Sequence, residues 1–296
     1  MQNQAELAEQ FDRCRSHLRA VAFRMLGSAD EAEDAVQEAW LRASRVDGTA
    51  IVNVTGWLTT IVGRVCLDML RTRARRREEL TDLADLERLV ARDATDPEAE
   101  AVLADSVGLA LLVVIDALGP AERIAFVLHD LFAVPFDEIA EVVDRSPVAA
   151  KKLASRARRR VHGTTTIPAA DLDRQRKVVE AFLAASRAGD LGALLAVLDP
   201  DVVRRADPGA LREGAATEAH GARTVAEETL TNTGRARFAR PALVDGAVGI
   251  VVAPRGRLLF ALRVVVVGER IAAIEVVAAP DRLRQLQLAV LDLASP

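Results

Sequence analysis

The sequence predicts a multidomain chain: two all-α domains, the second built around a helix-turn-helix, followed by an α+β domain with an antiparallel meander. Three observations carry that expectation. Apolar residues recur at helical spacing over 5–77 and again over 105–163. From residue 173 onward the pattern changes, and from about 236 it runs in short extended segments punctuated by Asp245-Gly246, Arg255-Gly256 and Gly268-Glu269, as hairpin turns require. Between these regions, "VPFDEIAEVVDRSPVAAKKLASRARRR" (134–160) sets two amphipathic segments around Asp144-Arg145-Ser146, with six cations in 151–160. A chain of 296 residues has room for two or three such domains.

In chain order, "GSADEAEDAVQEAWLRAS" (27–44) opens on Ser28 with Glu31 three residues later, the capping-box pattern. Ala32, Ala35, Val36, Ala39, Trp40 and Ala43 make its apolar stripe. Asp34, Gln37, Glu38 and Leu41 make a second face, which suits either a basic partner helix or plain solvent. The next helix, 53–77, is capped by Asn53. It buries Leu58, Ile61, Val62, Val65 and Met69 and turns Thr60, Arg64, Asp68 and Arg71 outward, with five arginines in 71–77. Trp57, near its start, is either core or a platform for an unpaired base. The stretch 81–104 carries seven anions and two cations and is broken by Asp96-Pro97, so it reads as an acidic linker. A second linker follows the cationic segment, "HGTTTIPAAD" (162–171). The third domain begins with helices near 173–188 and 190–198 and the turn "DPD", then a helix near 221–231. Extended segments follow at 236–244, 247–253, 257–267 and 271–277, with a last helix at "APDRLRQLQL". In "RLLFALRVVVV" one face is Leu258, Phe260, Leu262, Val264 and Val266, and the other holds Arg257 and Arg263, the alternation of a strand with one buried face.

Within 134–160, Phe136, Ile139, Ala140 and Val143 point inward on the first segment. Ser146 caps the second and Pro147 occupies its first turn. Asp144 stands where glycine is common, and Asp tolerates the left-handed conformation such a turn needs. Ala150, Leu153, Ala154, Ala157 and Val161 share one side, while Lys152, Ser155, Arg156 and Arg159 share the other. A short helix, a tight turn and a second helix with a cationic outer face make up the helix-turn-helix plan, whose second helix enters the major groove.

Composition excludes several classes. The net charge of −4 makes anion binding a property of local clusters. The apolar run "LALLVVI" (109–115) is far short of the ~18 residues of a membrane span, and the first ten residues lack a signal-peptide pattern, so a cytoplasmic location is expected. Cys14 and Cys66 fall in helical patterns and make no disulfide framework. The four histidines show no metal-ligand spacing, and no cofactor is indicated.

Taken together, "DEAEDAVQEAWLRA", "NVTGWLTTIVGRVCLDMLRTRARRR" and "LGPAERIAFVLHDLFAVPFDEIAEVVDRSPVAAKKLASRARRRV" resemble the extracytoplasmic-function (ECF) sigma factors of bacterial RNA polymerase. The resemblance implies sigma domain 2 over 1–80, the linker 81–104, sigma domain 4 over 105–164, a linker 165–172 and a regulatory domain over 173–296. It implies that Asp34, Gln37, Glu38 and Leu41 dock on core polymerase, and that the loop 45–53 captures a flipped base of the melted −10 element. With that loop go Asn53, Trp57, Thr60, Arg64, Arg71 and Arg73, the last three on phosphates. Duplex −35 DNA falls to Lys151, Lys152, Ser155, Arg156 and Arg159. The remainder resembles the SnoaL-like domain of one ECF subgroup, a curved antiparallel sheet wrapped by helices into a cone and implied to act on the sigma domains in cis. The chain departs from that subgroup's pattern: the glycine-rich motif appears as "DPGAL" (207–211), the Trp-Leu-Pro-type linker motif is missing from 78–104, and the terminal motif survives only as "APDRL" (279–283).

Two other classes compete. A helix-turn-helix regulator with a small-ligand domain would leave the first eighty residues unexplained. An enzyme would use Asp207 or His220 in the cone, although fold alone does not imply activity. Asp207, His220 and Arg263 are the candidate ligand-cavity residues.

Overall fold

Helix ends fall where the local chemistry places them. In the computed structural model, α1 (Gln2–Leu26) stops at Gly27, whose φ of 74° ends the helix with an N–H bond to the Phe23 carbonyl. The Ser28 hydroxyl accepts from the Glu31 N–H at 3.4 Å, starting α2 (Ala29–Ala43). The Asn53 Oδ1 accepts from the Gly56 N–H at 3.0 Å, starting α3 (Val54–Glu79). The structure describes residues 2–46, 51, 53–79, 108–165, 167–211, 216–254 and 258–291. The boundaries expected at 80/81 and 104/105, the acidic linker and the Arg255-Gly256 turn lie outside these residues.

The described residues form two compact units. The first contains α1–α3 together with 118–159. Leu18, Val21, Ala22, Met25 and Leu26 of α1 are all but fully buried, as are Ala32, Ala35, Val36 and Ala39 of α2. Each large apolar side chain so buried contributes about 1.5–3 kcal/mol. α3 is buried on more than its expected side. Leu58, Val62 and Val65 are inside as expected, but so are Cys66, Leu67 and Leu70, while Ile61 and Met69 are only half-buried. The reason is a second neighbour. Gly63 faces Val142 and Leu128, which belong to the helical region after residue 118, so α3 is packed from two directions.

In that region α5 (Pro120–Phe126) begins with proline and runs into a π-helical turn (Val127–Leu131). Next come α6 (Phe136–Val143) and α7 (Pro147–His162). Asp144 adopts φ 55° and ψ 56°, and the Ser146 hydroxyl accepts from the Ala149 N–H at 3.3 Å. Ala150, Ala154 and Ala157 have no exposed surface, and their small side chains let α7 lie close against its neighbours.

The second unit gathers α4 (Leu109–Asp116), residues 160–165 and everything described after them. α8 (Ala169–Ala188) and α9 (Leu191–Val197) lead into a seven-stranded sheet. Its strands are β1 (Leu198–Ala206), β2 (Glu218–His220), β3 (Ala239–Val244), β4 (Ala247–Val252), β5 (Phe260–Val267), β6 (Arg270–Val277) and β7 (Leu288–Ala289). The order is β2-β1-β6-β5-β4-β3-β7. α10 (Ala222–Leu230), α11 (Thr233–Ala236) and α12 (Pro280–Gln285) complete the unit. β3 to β6 form the expected meander, and the β3–β4 turn places Asp245 at φ 52° and Gly246 at φ 83°. The sheet departs from the expectation in being mixed, because β1 pairs in parallel with β6. Its first residues, "LDPDVV", resemble a turn. Pro200 falls where the β1–β6 register shifts between Leu198 and Val203, so the missing N–H interrupts no ladder bond. A second shift, between Val265 and Val266 of β5, adds to the curvature. No described helix is long and apolar enough to cross a membrane.

Candidate nucleic-acid interface

The sequence gives α7 two faces, and the structure separates them by burial. The alanine stripe is inside; Lys151, Lys152, Ser155, Arg156 and Arg159 are all exposed. Positions 151, 152, 155, 156 and 159 recur one turn apart, so these side chains stand on one face. Among the described residues, no carboxylate lies within ion-pairing distance of Lys151, Lys152, Arg156 or Arg159. Their neighbours differ: Arg158 pairs with Asp130 at 2.6 Å, and Arg160 donates to the Ala117 carbonyl at 3.2 Å. Four cations at helical spacing without carboxylate partners, behind a capped tight turn, are the arrangement that phosphate and base edges can satisfy.

On α2, Asp34 and Gln37 are exposed, Glu38 bonds Arg42 at 2.8 Å, and Leu41 shows 53% of its surface. An exposed leucine among carboxylates is a surface suited to a partner with apolar and basic groups. Val46, in the following turn, is exposed as well.

The six residues assigned to a melted strand divide. Arg71 is exposed. Thr60 returns its hydroxyl proton to the Gly56 carbonyl at 3.0 Å, and Trp57 is half-buried. The Oδ1 of Asn53 is spent on capping α3. Arg64 turns toward α6, where its Nε and Nη2 donate to the Glu141 carbonyl at 3.3 and 3.2 Å. Arg73 departs most from the phosphate role. Its Nη2 pairs with Glu31 and its Nη1 donates to the Leu26 carbonyl at 3.0 Å, tying the end of α3 to the α1–α2 corner. Counting cations along one helix carries no information about a carboxylate 42 positions earlier. Residues 47–50 and 52 of the base-capturing loop, and the side chains of 74–77, lie outside the described residues.

Arg123 escaped the sequence reading. It is buried, and its Nη1 donates to the Met25 carbonyl at 3.0 Å, so it braces α5 against the end of α1. An arginine in a run as apolar as "RIAFVL" is the signal that would have found it. Both cysteines are buried, and burial pushes their thiols up, which leaves them poor nucleophiles.

In the second unit a cavity of about 190 Å³ opens between the sheet and the helices. The three residues expected to line it do not. The Asp207 carboxylate accepts the Ala278 and Ala279 N–H groups at 2.9 and 3.0 Å and pairs with Arg282. His220 is exposed at a sheet edge, 2.9 Å from Glu218. Arg263 lies on the outer face of β5, between Asp245 at 2.8 Å and Glu275 at 3.0 Å. The alternation in "FALRVVV" put Arg263 opposite Phe260 and Leu262, and it is these two that line the cavity.

A capped tight turn followed by a helix with an exposed cationic face, together with an acidic helix that exposes Leu41 near its end, defines a helix-turn-helix protein. The family comparison says which kind. The model of sigma-70 region 2 matches residues 10–76, and that of sigma-70, region 4 matches 108–161. The chain is 46% identical over 200 residues to the ECF RNA polymerase sigma factor SigJ of Mycobacterium tuberculosis (strain ATCC 25618 / H37Rv), covering 67% of this chain and 64% of that protein. It is 39% identical over 196 residues to the "Probable ECF RNA polymerase sigma factor SigI" of Mycobacterium tuberculosis (strain CDC 1551 / Oshkosh), covering 65% and 67%. Among solved structures it is similar to the crystal structure of Mycobacterium tuberculosis SigJ, at 34% identity over 93% of this chain and 98% of that one, with a TM-score of 0.46. This chain belongs to the extracytoplasmic-function RNA polymerase sigma factors.

Proposed function

We propose that the chain directs core RNA polymerase to promoters in the cytoplasm, and that its C-terminal α+β unit regulates this in cis. The observation that carries the reading is the cationic face of α7, whose four members Lys151, Lys152, Arg156 and Arg159 lack carboxylate partners among the described residues. In this reading α7 enters the major groove of the −35 element, its first turns at base edges and Arg159 on phosphate. Asp34, Gln37, Glu38 and Leu41 dock on the polymerase, and the start of α3 with Trp57 and Arg71 meets the melted −10 strand. Arg64 joins that strand only when α6 releases it, so the packing of α3 on α6 is a closed form that polymerase binding opens.

Run-off transcription with core polymerase on fragments of the source genome tests this. Full-length protein, a form ending near Thr166 and the double variant Lys152→Ala, Arg156→Ala are compared. The full-length protein should give discrete transcripts, the double variant should lose them, and truncation should change their yield. Transcripts from neither the full-length nor the truncated protein would remove the promoter-recognition role. Equal yields from those two would remove regulation in cis.

A further inference from the structure

The cavity of the second unit holds polar groups in an arrangement that the promoter-directing role leaves unused. Most of its wall is apolar, with Phe182, Ile250, Phe260 and Leu262 among the lining. Into this wall project Arg204, 7% exposed, and Glu228. Arg204 spends three of its five N–H groups: Nε at 3.1 Å and Nη2 on the same Glu228 oxygen, and Nη1 on the Ala216 carbonyl at 3.0 Å. Glu228 takes both guanidinium bonds on Oε2, and among the described residues its Oε1 accepts none. The pair therefore keeps donors on one side and an acceptor on the other, with no net charge. Three hydroxyls in the wall have already given their protons to backbone carbonyls, Ser186 to Phe182 at 2.7 Å, Thr229 to Val225 at 2.8 Å and Thr231 to Glu228 at 2.7 Å. They can only accept. Arg235 is held by the Ala210 carbonyl at 3.2 Å and lies over the Phe260 ring.

We propose that this cavity binds an uncharged, ring-sized molecule bearing a hydroxyl group, which donates a hydrogen bond to Glu228 and whose oxygen accepts one from Arg204. Size sets the first limit. A void of about 150 Å³ suffices for benzene, and this one is larger by about one substituent. Charge sets the second. A carboxylate would face Glu228, 38% exposed, and an ammonium would face Arg204 and Arg235, so either charge meets a like one across a mostly apolar wall. A hydroxyl is both donor and acceptor and matches the pair without disturbing it.

The proposal needs neither polymerase nor promoter, so its failure is separable from failure of the transcriptional role. Fluorine NMR titrations of the full-length protein use three probes: 4-fluorophenol, fluorobenzene and 4-fluorobenzoate. Saturable binding of 4-fluorophenol is expected. Fluorobenzene should bind about fivefold more weakly, the worth of one hydrogen bond. The benzoate should bind more weakly by at least ~tenfold. Ala206→Leu, which fills the cavity from β1, should abolish saturable binding. Glu228→Gln should shrink the phenol-over-fluorobenzene preference. Absence of saturable phenol binding would overturn the proposal, as would benzoate binding equal to or tighter than phenol. Undiminished binding by a folded Ala206→Leu variant would place the site elsewhere and overturn it too. Should either variant fail to fold, the three probes on the unaltered protein still decide.

Discussion

Replacing Arg73 by methionine separates a structural arginine from a phosphate-binding one. The side chain is 17% exposed and its partner Glu31 29% exposed. Its loss leaves the Leu26 carbonyl and the Glu31 carboxylate each short of a charged donor, while methionine keeps much of the apolar stem's packing. A hydrogen bond to a charged group is worth about 1.5–3 kcal/mol, and partial exposure reduces this, so about 1–2 kcal/mol should be lost. The protein reports this cleanly. Its two tryptophans, Trp40 and Trp57, both lie in the first unit and it has no tyrosine, so fluorescence reads that unit alone. With a urea dependence of roughly 2 kcal/mol per molar, the midpoint should fall by about 0.5–1 M. Glu31→Gln should lower it comparably, and the double variant should cost less than the sum of the two. An unchanged midpoint, together with a salt slope of DNA binding reduced by about 0.7, the value for one phosphate of a single strand, would instead put Arg73 on phosphate and refute the reasoning.

Other outcomes follow from the same geometry. Arg159→Ala should lower the salt slope of promoter binding by polymerase holding this subunit by about one, and Lys152→Ala should cost about 1–3 kcal/mol of specific binding, with the unfolding free energy read by fluorescence within about 0.5 kcal/mol of the parent for both, because neither side chain is buried. Asp144→Val should destabilise the first unit by about 1–2 kcal/mol in urea melts while Asp144→Gly should not, since position 144 sits at φ 55°. At Asp207 burial disfavours the charge, but the Ala279 and Ala278 N–H groups and Arg282 outweigh it and hold the carboxyl below its usual range. A depressed folded value gives stability that is full above the unfolded value of about 4 and lost as pH falls through it toward the folded one. Asp207→Asn should therefore cost stability at pH 7, and its thermal melts by circular dichroism should vary less with pH below about 4 than those of the parent.

Much of the molecule is set by neighbours in sequence. Ser28, Asn53, Ser146, Asp144 and Asp245-Gly246 act on backbone within a few residues, so helix starts, the helix-turn-helix corner and the β3–β4 hairpin were legible from one dimension. So was the cationic face of α7, because one helical period decides which residues its alanines leave outside. Distant pairings had no such signal. Only the folded chain set β1 parallel to β6, drew Arg73 to Glu31 and Arg64 to α6, and gathered a cavity wall from α8, β1, α10 and the central strands. In each of those cases the partner lies tens of residues away, and a charge or an apolar run shows that it needs a partner without showing which one. Periodicity tells what a residue must hide or expose; the closing of long loops decides against what.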